Sequence, residues 1–204
     1  MNSKTVTKLA ILTATMTCLA TAPTVVGDEK KEKGSKTKKQ KVGALLLNVP
    51  ETWKFMKPKS RFRAGQFQVP AAKGDPQAAD LIVYYFGKNS GGGIDANIER
   101  WEGQFSAKQG KSKVTRGKTK DGHVYVVLDL SGTYDQPVGP PALGRTKPMK
   151  GARMLAVILT VKSKGNYFLK FTGATGTVTA AAAAFRKSFG ADAKKEKKYV
   201  GTQF

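Results

Sequence analysis

Three runs in this chain leave almost no polar face: Leu81–Phe86 (LIVYYF), Val124–Leu130 (VYVVLDL) and Met154–Val161 (MLAVILTV). A strand that is apolar on both faces needs cover on both, and β-branched and aromatic residues suit such pleated, buried positions. The chain is therefore expected to build a central sheet with layers packed on each side of it.

The first of these runs continues into a glycine-rich turn, Gly87–Gly93, and then into a helical pattern. Ile94, Ile98, Trp101 and Phe105 recur at spacings of 4, 3 and 4, which place them on one face of a helix, while Glu99 and Glu102 fall on the solvent side. A strand, a glycine loop and a helix N-terminus can also cradle an anion on free backbone N–H groups. The GxxxxGK[ST] and GxGxxG patterns are absent, however, so the loop is read as a turn and Asp95 as the cap of the helix.

Around this unit the chain reads mostly as hairpins. Ala44–Val49 is a first strand, and Pro50–Trp53 a turn that delivers an aromatic. Arg61–Val69 (RFRAGQFQV) keeps its alternation only if a bulge intervenes at Gly65, after which Arg61, Arg63, Gln66 and Gln68 share an outer face. Asp121-Gly122 joins a basic arm, Ser112–Thr119, to the apolar arm His123–Thr133. Asp129 in that second arm is expected to have a donor partner. Asp135–Gly151 is read as a long loop stiffened by proline, and Lys164–Asn166 turns a second hairpin. Val178, Ala182, Phe185 and Phe189 mark a final helix. Two helices among hairpins give an α+β fold: a mainly antiparallel sheet of about six to seven strands with two packed helices.

The ends carry other signals. Met1–Gly27 has the layout of a secretory signal peptide, with Lys4 and Lys8 ahead of an apolar run and small residues at its end. Cleavage is expected after Gly27, rather than at Cys18 as in a lipoprotein. Cys18 is the only cysteine, so the mature chain would have neither disulfide nor thiolate chemistry. Residues 28–41 read as a disordered basic linker, 42–189 as one domain and 190–204 as a disordered basic tail. The whole chain carries a net charge of +22. Two lysines lie in the leader, a net +4 in residues 28–41 and +2 in 190–204, so the domain itself holds +14. A surface of this kind favours anionic partners.

The segments LIVYYFG…GGIDANIERWEGQF, LSGTYDQPVGPP, RMLAVI and GNYFLKFTGATGTVTAAAAAFRKSF resemble a family of exported bacterial proteins of uncharacterised function. The element order and the YFLKFTG strand entering the last helix resemble the PsbP-like fold of photosystem II extrinsic subunits. The resemblance covers about Leu45–Phe189. It implies a PsbP-like fold, an exported location and a non-catalytic role, and it assigns no site residue.

Catalytic chemistry finds little purchase. His123 is the only histidine, no HExxH or GxSxG occurs, and the 14 acidic residues are scattered. No cofactor or metal is expected. The expected function is an exported, periplasmic or extracellular, non-catalytic binding or structural module of the cell envelope, the alternative a hydrolase or other envelope enzyme without metal or cysteine chemistry. Its partner would be an anionic envelope polymer, an anionic lipid surface or another exported protein; export disfavours nucleic acid, and no transmembrane span is expected in the mature chain. Arg145, Lys147, Lys150 and Arg153 on the long loop, Arg116 and Lys118 on the basic arm, and Arg61, Arg63 and Trp53 are the candidate binding residues.

Overall fold

The structure is a computed structural model that describes residues 36–58, 60–140 and 143–201, together with Met1. The expected signal peptide and most of the expected linker lie outside the described residues.

Two strands, β1 (Thr37–Val42) and β2 (Leu45–Pro50), form an antiparallel hairpin. Then follow β3 (Lys54–Met56), β4 (Arg63–Val69), β5 (Ala79–Tyr85), helix α1 (Ile94–Glu102), β6 (Phe105–Lys108), β7 (Lys113–Lys118), β8 (Val124–Pro137), β9 (Thr146–Val161), β10 (Gly165–Ala174), helix α2 (Thr175–Ser188) and the two-residue β11 (Lys197–Lys198). The nine strands β3 to β11 make one antiparallel sheet in the order β11-β7-β8-β9-β10-β5-β4-β3, with β6 on the far half of β8. The α+β class and the antiparallel sheet stand as expected.

The two-faced strands lie at the centre, as their composition requires. On one face Leu81, Val83, Leu155, Val157, Leu169 and Phe171 pack beneath α2 and the β1–β2 hairpin, meeting Val178, Phe185, Leu47 and Val49. On the other face Leu128, Met154, Ile158 and Phe168 pack beneath Trp101 of α1, with Ile94 and Ile98 alongside. The bulge expected at Gly65 is present, as a register shift between Arg63 and Gly65. A Cβ at Gly65 would stand 2.8 Å from a methyl of Val42, so the close approach of β1 also holds this position to glycine.

Several expectations are corrected. The sheet has more strands than six to seven, because β3, β6 and β11 are too short to show periodicity in sequence. Residues 37–41 are not linker: they form β1 together with Val42, which was expected in the domain and is buried, and pair with β2. The C-terminal segment is docked rather than frayed. Its β11 pairs with β7, and Glu196 accepts from Arg186 Nε at 2.8 Å and Thr115 Oγ1 at 2.7 Å. The long loop is mostly strand: β8 and β9 continue through it as a ribbon, which leaves residues 138–140 and 143–145 outside the strands. Phe105 belongs to β6 rather than to the helix, although it still joins the α1 core. Asp95 does not cap α1. Gly93 holds the cap position, and Asp95 accepts from the Tyr199 hydroxyl at 2.9 Å. The glycine turn is fixed by packing: a Cβ at Gly91 would meet the Phe168 ring at 2.5 Å, and Asn97 Nδ2 donates to the carbonyls of Gly91 and Gly93.

Candidate functional site

Helix α1 covers only part of its face of the sheet. Along β10 the residues on that face are Phe168, Lys170 and Thr172; Phe168 packs against Trp101 of the helix, and Lys170 meets Gln104 just beyond the helix end. Across from them on β5 are Tyr84, Ile82 and Asp80, and beyond these on β4 are Gln66 and Gln68. Tyr134, Gln136 and Met149 at the base of the β8–β9 ribbon form the opposite wall. Together they enclose an open pocket of about 350 Å³.

Lys170 is the principal cation in it. Its ammonium donates to the Tyr134 hydroxyl at 2.8 Å and to Gln104 Oε1, and sits 4.8 Å from the centre of the Tyr134 ring. Neither hydrogen-bond acceptor is charged. Burial, with the nearby guanidinium groups of Arg100 and Arg63, lowers the pKa of Lys170 to about 8. Desolvation disfavours the charged form, and like charges add to it.

Asp80 is perturbed the other way. Burial raises its pKa, offset in part by a hydrogen bond from Gln66 and by the charge of Arg63. Gln66 Nε2 lies at the long distance of 3.5 Å from Asp80 Oδ1, while Gln66 Oε1 accepts from Arg63 Nη1 at 2.9 Å. Thr172 is the residue directly opposite Asp80. Its Oγ1 is buried and has no hydrogen-bond partner among the described residues. Buried polar atoms of this kind are uncommon, and each calls for an explanation, an ordered water or ion among them. Tyr134 and Tyr84 also have raised pKa values, chiefly through burial.

Of the residues expected from sequence, the structure brings only Arg63 into this pocket. Lys147 stands opposite Gln136 in the ribbon and so shares the pocket face. Arg145 and Lys150 are exposed elsewhere on the ribbon. Arg153 is bound within the fold: it holds Asp129 bidentately at 2.9 and 2.7 Å and donates to Thr179 Oγ1 of α2 at 2.8 Å. Asp129 is thus satisfied by a partner, as its position in an apolar strand requires. Trp53 is buried against Phe171 with ring centroids 5.9 Å apart and presents no face to a partner. Arg61 is exposed, its guanidinium 4.8 Å from the Phe62 ring. Arg116 and Lys118 are exposed on β7, with Arg116 opposite Lys197 of β11.

Reasoning from sequence missed Lys170, Asp80, Thr172, Tyr84 and Tyr134. A faint signal existed: Lys170 is a lone charge inside YFLKFTG, on the alternation that the neighbouring Phe168 occupies. His123 lies half-buried beside its hairpin turn, where its backbone N–H donates to Thr119 Oγ1 at 3.1 Å. Among the described residues no three His, Cys, Asp or Glu side chains converge as a metal site would need, and no helix is long and apolar enough to cross a membrane.

No protein-family model matches the chain, and no curated protein matches it. Among solved structures, the cyanobacterial PsbP (CyanoP) of Synechocystis sp. PCC 6803 is similar with a TM-score of 0.45 and 14% identity, over 85% of this chain and 99% of that one. A Pseudomonas aeruginosa protein of unknown function is similar with a TM-score of 0.42 and 16% identity, over 76% of this chain and 93% of that one. At these identities the likeness, PsbP-like as the sequence led one to expect, concerns the fold alone.

Proposed function

We propose that this chain is an exported, non-catalytic binding module that receives an anionic group in the pocket on the open face of its sheet. The observation that carries this reading is Lys170: a largely buried ammonium whose hydrogen-bond acceptors, Gln104 and Tyr134, are both neutral. Buried charges are costly unless paired. An incoming carboxylate or phosphate oxygen supplies the missing counter-charge, with Arg63 and Lys147 adding positive potential at the pocket and its rim. Perturbed groups in a concave site also mark functional residues more often than chance.

The test is calorimetric titration of the exported protein with inorganic phosphate and with acetate, beside Lys170→Met. Binding to wild type that is lost in Lys170→Met supports the reading. Equal binding by both proteins, or none by either, overturns it, and turnover in an unbiased hydrolase screen would put the enzyme alternative in its place.

A second surface has its own support. Arg145, Lys147 and Lys150 are exposed on the β8–β9 ribbon, and Arg116 and Lys118 on β7. They suit a polyanionic envelope polymer, an anionic lipid surface or an acidic exported protein. Such binding weakens steeply with salt, since exposed charges are screened beyond roughly 8–10 Å at physiological ionic strength. Replacing the three ribbon cations by Ser should reduce retention on a heparin column and leave the melting temperature unchanged; unchanged retention removes the ribbon from this role.

A further inference from the structure

The pocket holds more than a cation, and its remaining groups define what the rest of a ligand must be. The following rests on the reading of Lys170 as an anion receptor. Two cations, Lys170 and Arg63, face one carboxylate, Asp80, so the pocket favours a ligand of net negative charge over a zwitterion such as a free amino acid. The other polar groups are of mixed character. Among the described residues Thr172 Oγ1 is buried without a hydrogen-bond partner and Asp80 accepts one long hydrogen bond, and Gln68, Gln77 and Gln136 each offer both a donor and an acceptor. Groups that both donate and accept are best matched by hydroxyls, which do the same. Tyr84 and Tyr134 add amphipathic ring surface beside these polar groups, as a saccharide with its C–H faces requires. The volume of about 350 Å³ accommodates a single small ring with its substituents.

We propose that the pocket is a binding site for a small polyhydroxylated acid, a monosaccharide carrying one carboxylate, whose acid group meets Lys170 and Arg63 and whose hydroxyls meet Asp80 and Thr172. The acid end is placed by position. Lys170 and Thr172 lie two residues apart on one face of β10, and Asp80 lies opposite Thr172, hence diagonal to Lys170. Such diagonal neighbours are about 7–8 Å apart along the sheet, a distance that one sugar acid can bridge. A bare carboxylate would satisfy the ammonium and leave Thr172 unpaired. A neutral sugar would satisfy Thr172 and Asp80 and leave the ammonium unpaired.

The test uses the exported protein and four probes: D-galacturonate, D-galactose, acetate and inorganic phosphate, each titrated calorimetrically and by amide chemical shifts. Galacturonate is expected to bind at least about tenfold more tightly than either galactose or acetate, because polar site groups left unpaired penalise each partial ligand. Lys170→Met should cost about tenfold or more for galacturonate and less than about twofold for galactose. Thr172→Val, which conserves shape, should weaken galacturonate and galactose alike without changing acetate. Lys170→Arg keeps the charge if the Met variant misfolds, and should retain part of the galacturonate affinity. Binding of phosphate and acetate through Lys170 with no advantage for galacturonate overturns this inference while leaving the anion site standing. Absence of binding by all four probes overturns both.

Discussion

Removing the Glu196 carboxylate should destabilise the protein far more than a terminal position would lead one to expect. The side chain of Glu196 is 6% exposed and that of its partner Arg186 12%. Its two oxygens join three elements: Arg186 of α2 at 2.8 Å, Thr115 of β7 at 2.7 Å and, more weakly, Tyr125 of β8 at 3.4 Å. Truncating one member of a buried pair leaves the other charge uncompensated and costs about 3–5 kcal/mol. An open cleft lined by Arg186, Glu196 and Tyr199 lets water reach the guanidinium, which favours the lower end. At about 2–4 °C per kcal/mol for a protein of this size, Glu196→Ala should lower the melting temperature by about 6–12 °C. The control is Glu102→Ala, whose pair with Lys108 at 2.8 Å is 25% and 41% exposed, and which should cost about 0–1 kcal/mol. Adding Arg186→Met to Glu196→Ala should recover part of the loss, because the stranded charge is gone. Differential scanning calorimetry at pH 7 on the full chain measures all three. A drop below about 2 °C for Glu196→Ala, matching Glu102→Ala, would mean that the C-terminal segment does not dock in solution and would refute the reasoning.

Three further outcomes are expected. Lys170→Met should be more stable than wild type at neutral pH: the lysine is charged in the folded state only at a cost set by the lowering of its pKa from 10.5 to about 8, an upper bound of ~3 kcal/mol. The unfolded chain holds the proton that the folded one has released between pH 8 and 10.5, so wild type should gain on the variant across that window in denaturant titrations; Arg63, Arg100, Asp80, Tyr84 and Tyr134 surround the group and should be left intact, and a pH-independent difference would contradict the assignment. Gly132→Ala should cost about 3 kcal/mol or more in chemical denaturation, since the new Cβ would lie 2.0 Å from the Ala107 carbonyl oxygen at a φ of 153°; near-neutral stability would show that β6 does not lie against β8 as described. A chain beginning at Lys36 should melt within about 2 °C of one beginning at Asp28, whereas one beginning at Gly43 should lose about 2–3 kcal/mol, because it forfeits β1 and the burial of Val42; equal stability of the chains beginning at Lys36 and Gly43 would return β1 to the linker.

How far the fold was legible in sequence depended on length and on company. Leu81–Phe86, Val124–Leu130 and Met154–Val161 announced themselves because a central strand is apolar on both faces and needs no partner to be recognised. The turn at Asp121-Gly122 and the stripe Val178, Ala182, Phe185 were equally local signals. The strand β1 was hidden because its sequence, TKKQKV, is five-sixths polar and only Val42 is buried. It is held by pairing with β2 rather than by a face of its own. The short β11, KK, is held the same way, with Glu196 as its anchor. In each case composition signalled disorder because the stabilising partner lies elsewhere in the chain, and composition does not report partners.

The pocket was illegible for a related reason, and the reason bears on what it does. Net charge drew attention to cations that are dense in sequence, Arg145 to Arg153, yet Arg153 turned out to neutralise Asp129 and hold α2. Density along the chain measures solvated surface. A binding cation is better recognised by isolation: one lysine in a strand whose neighbours Phe168, Leu169 and Phe171 are buried, opposite a carboxylate two residues off register. Packing alone gives no reason for Lys170, since an apolar residue there would relieve the cost of a buried charge. Nor does it explain why Thr172 carries a hydroxyl that finds no partner among the described residues. Both residues break the local rule at the pocket on the α1 side of the sheet, and sites that break such rules without compensation inside the fold are where function is expected to reside.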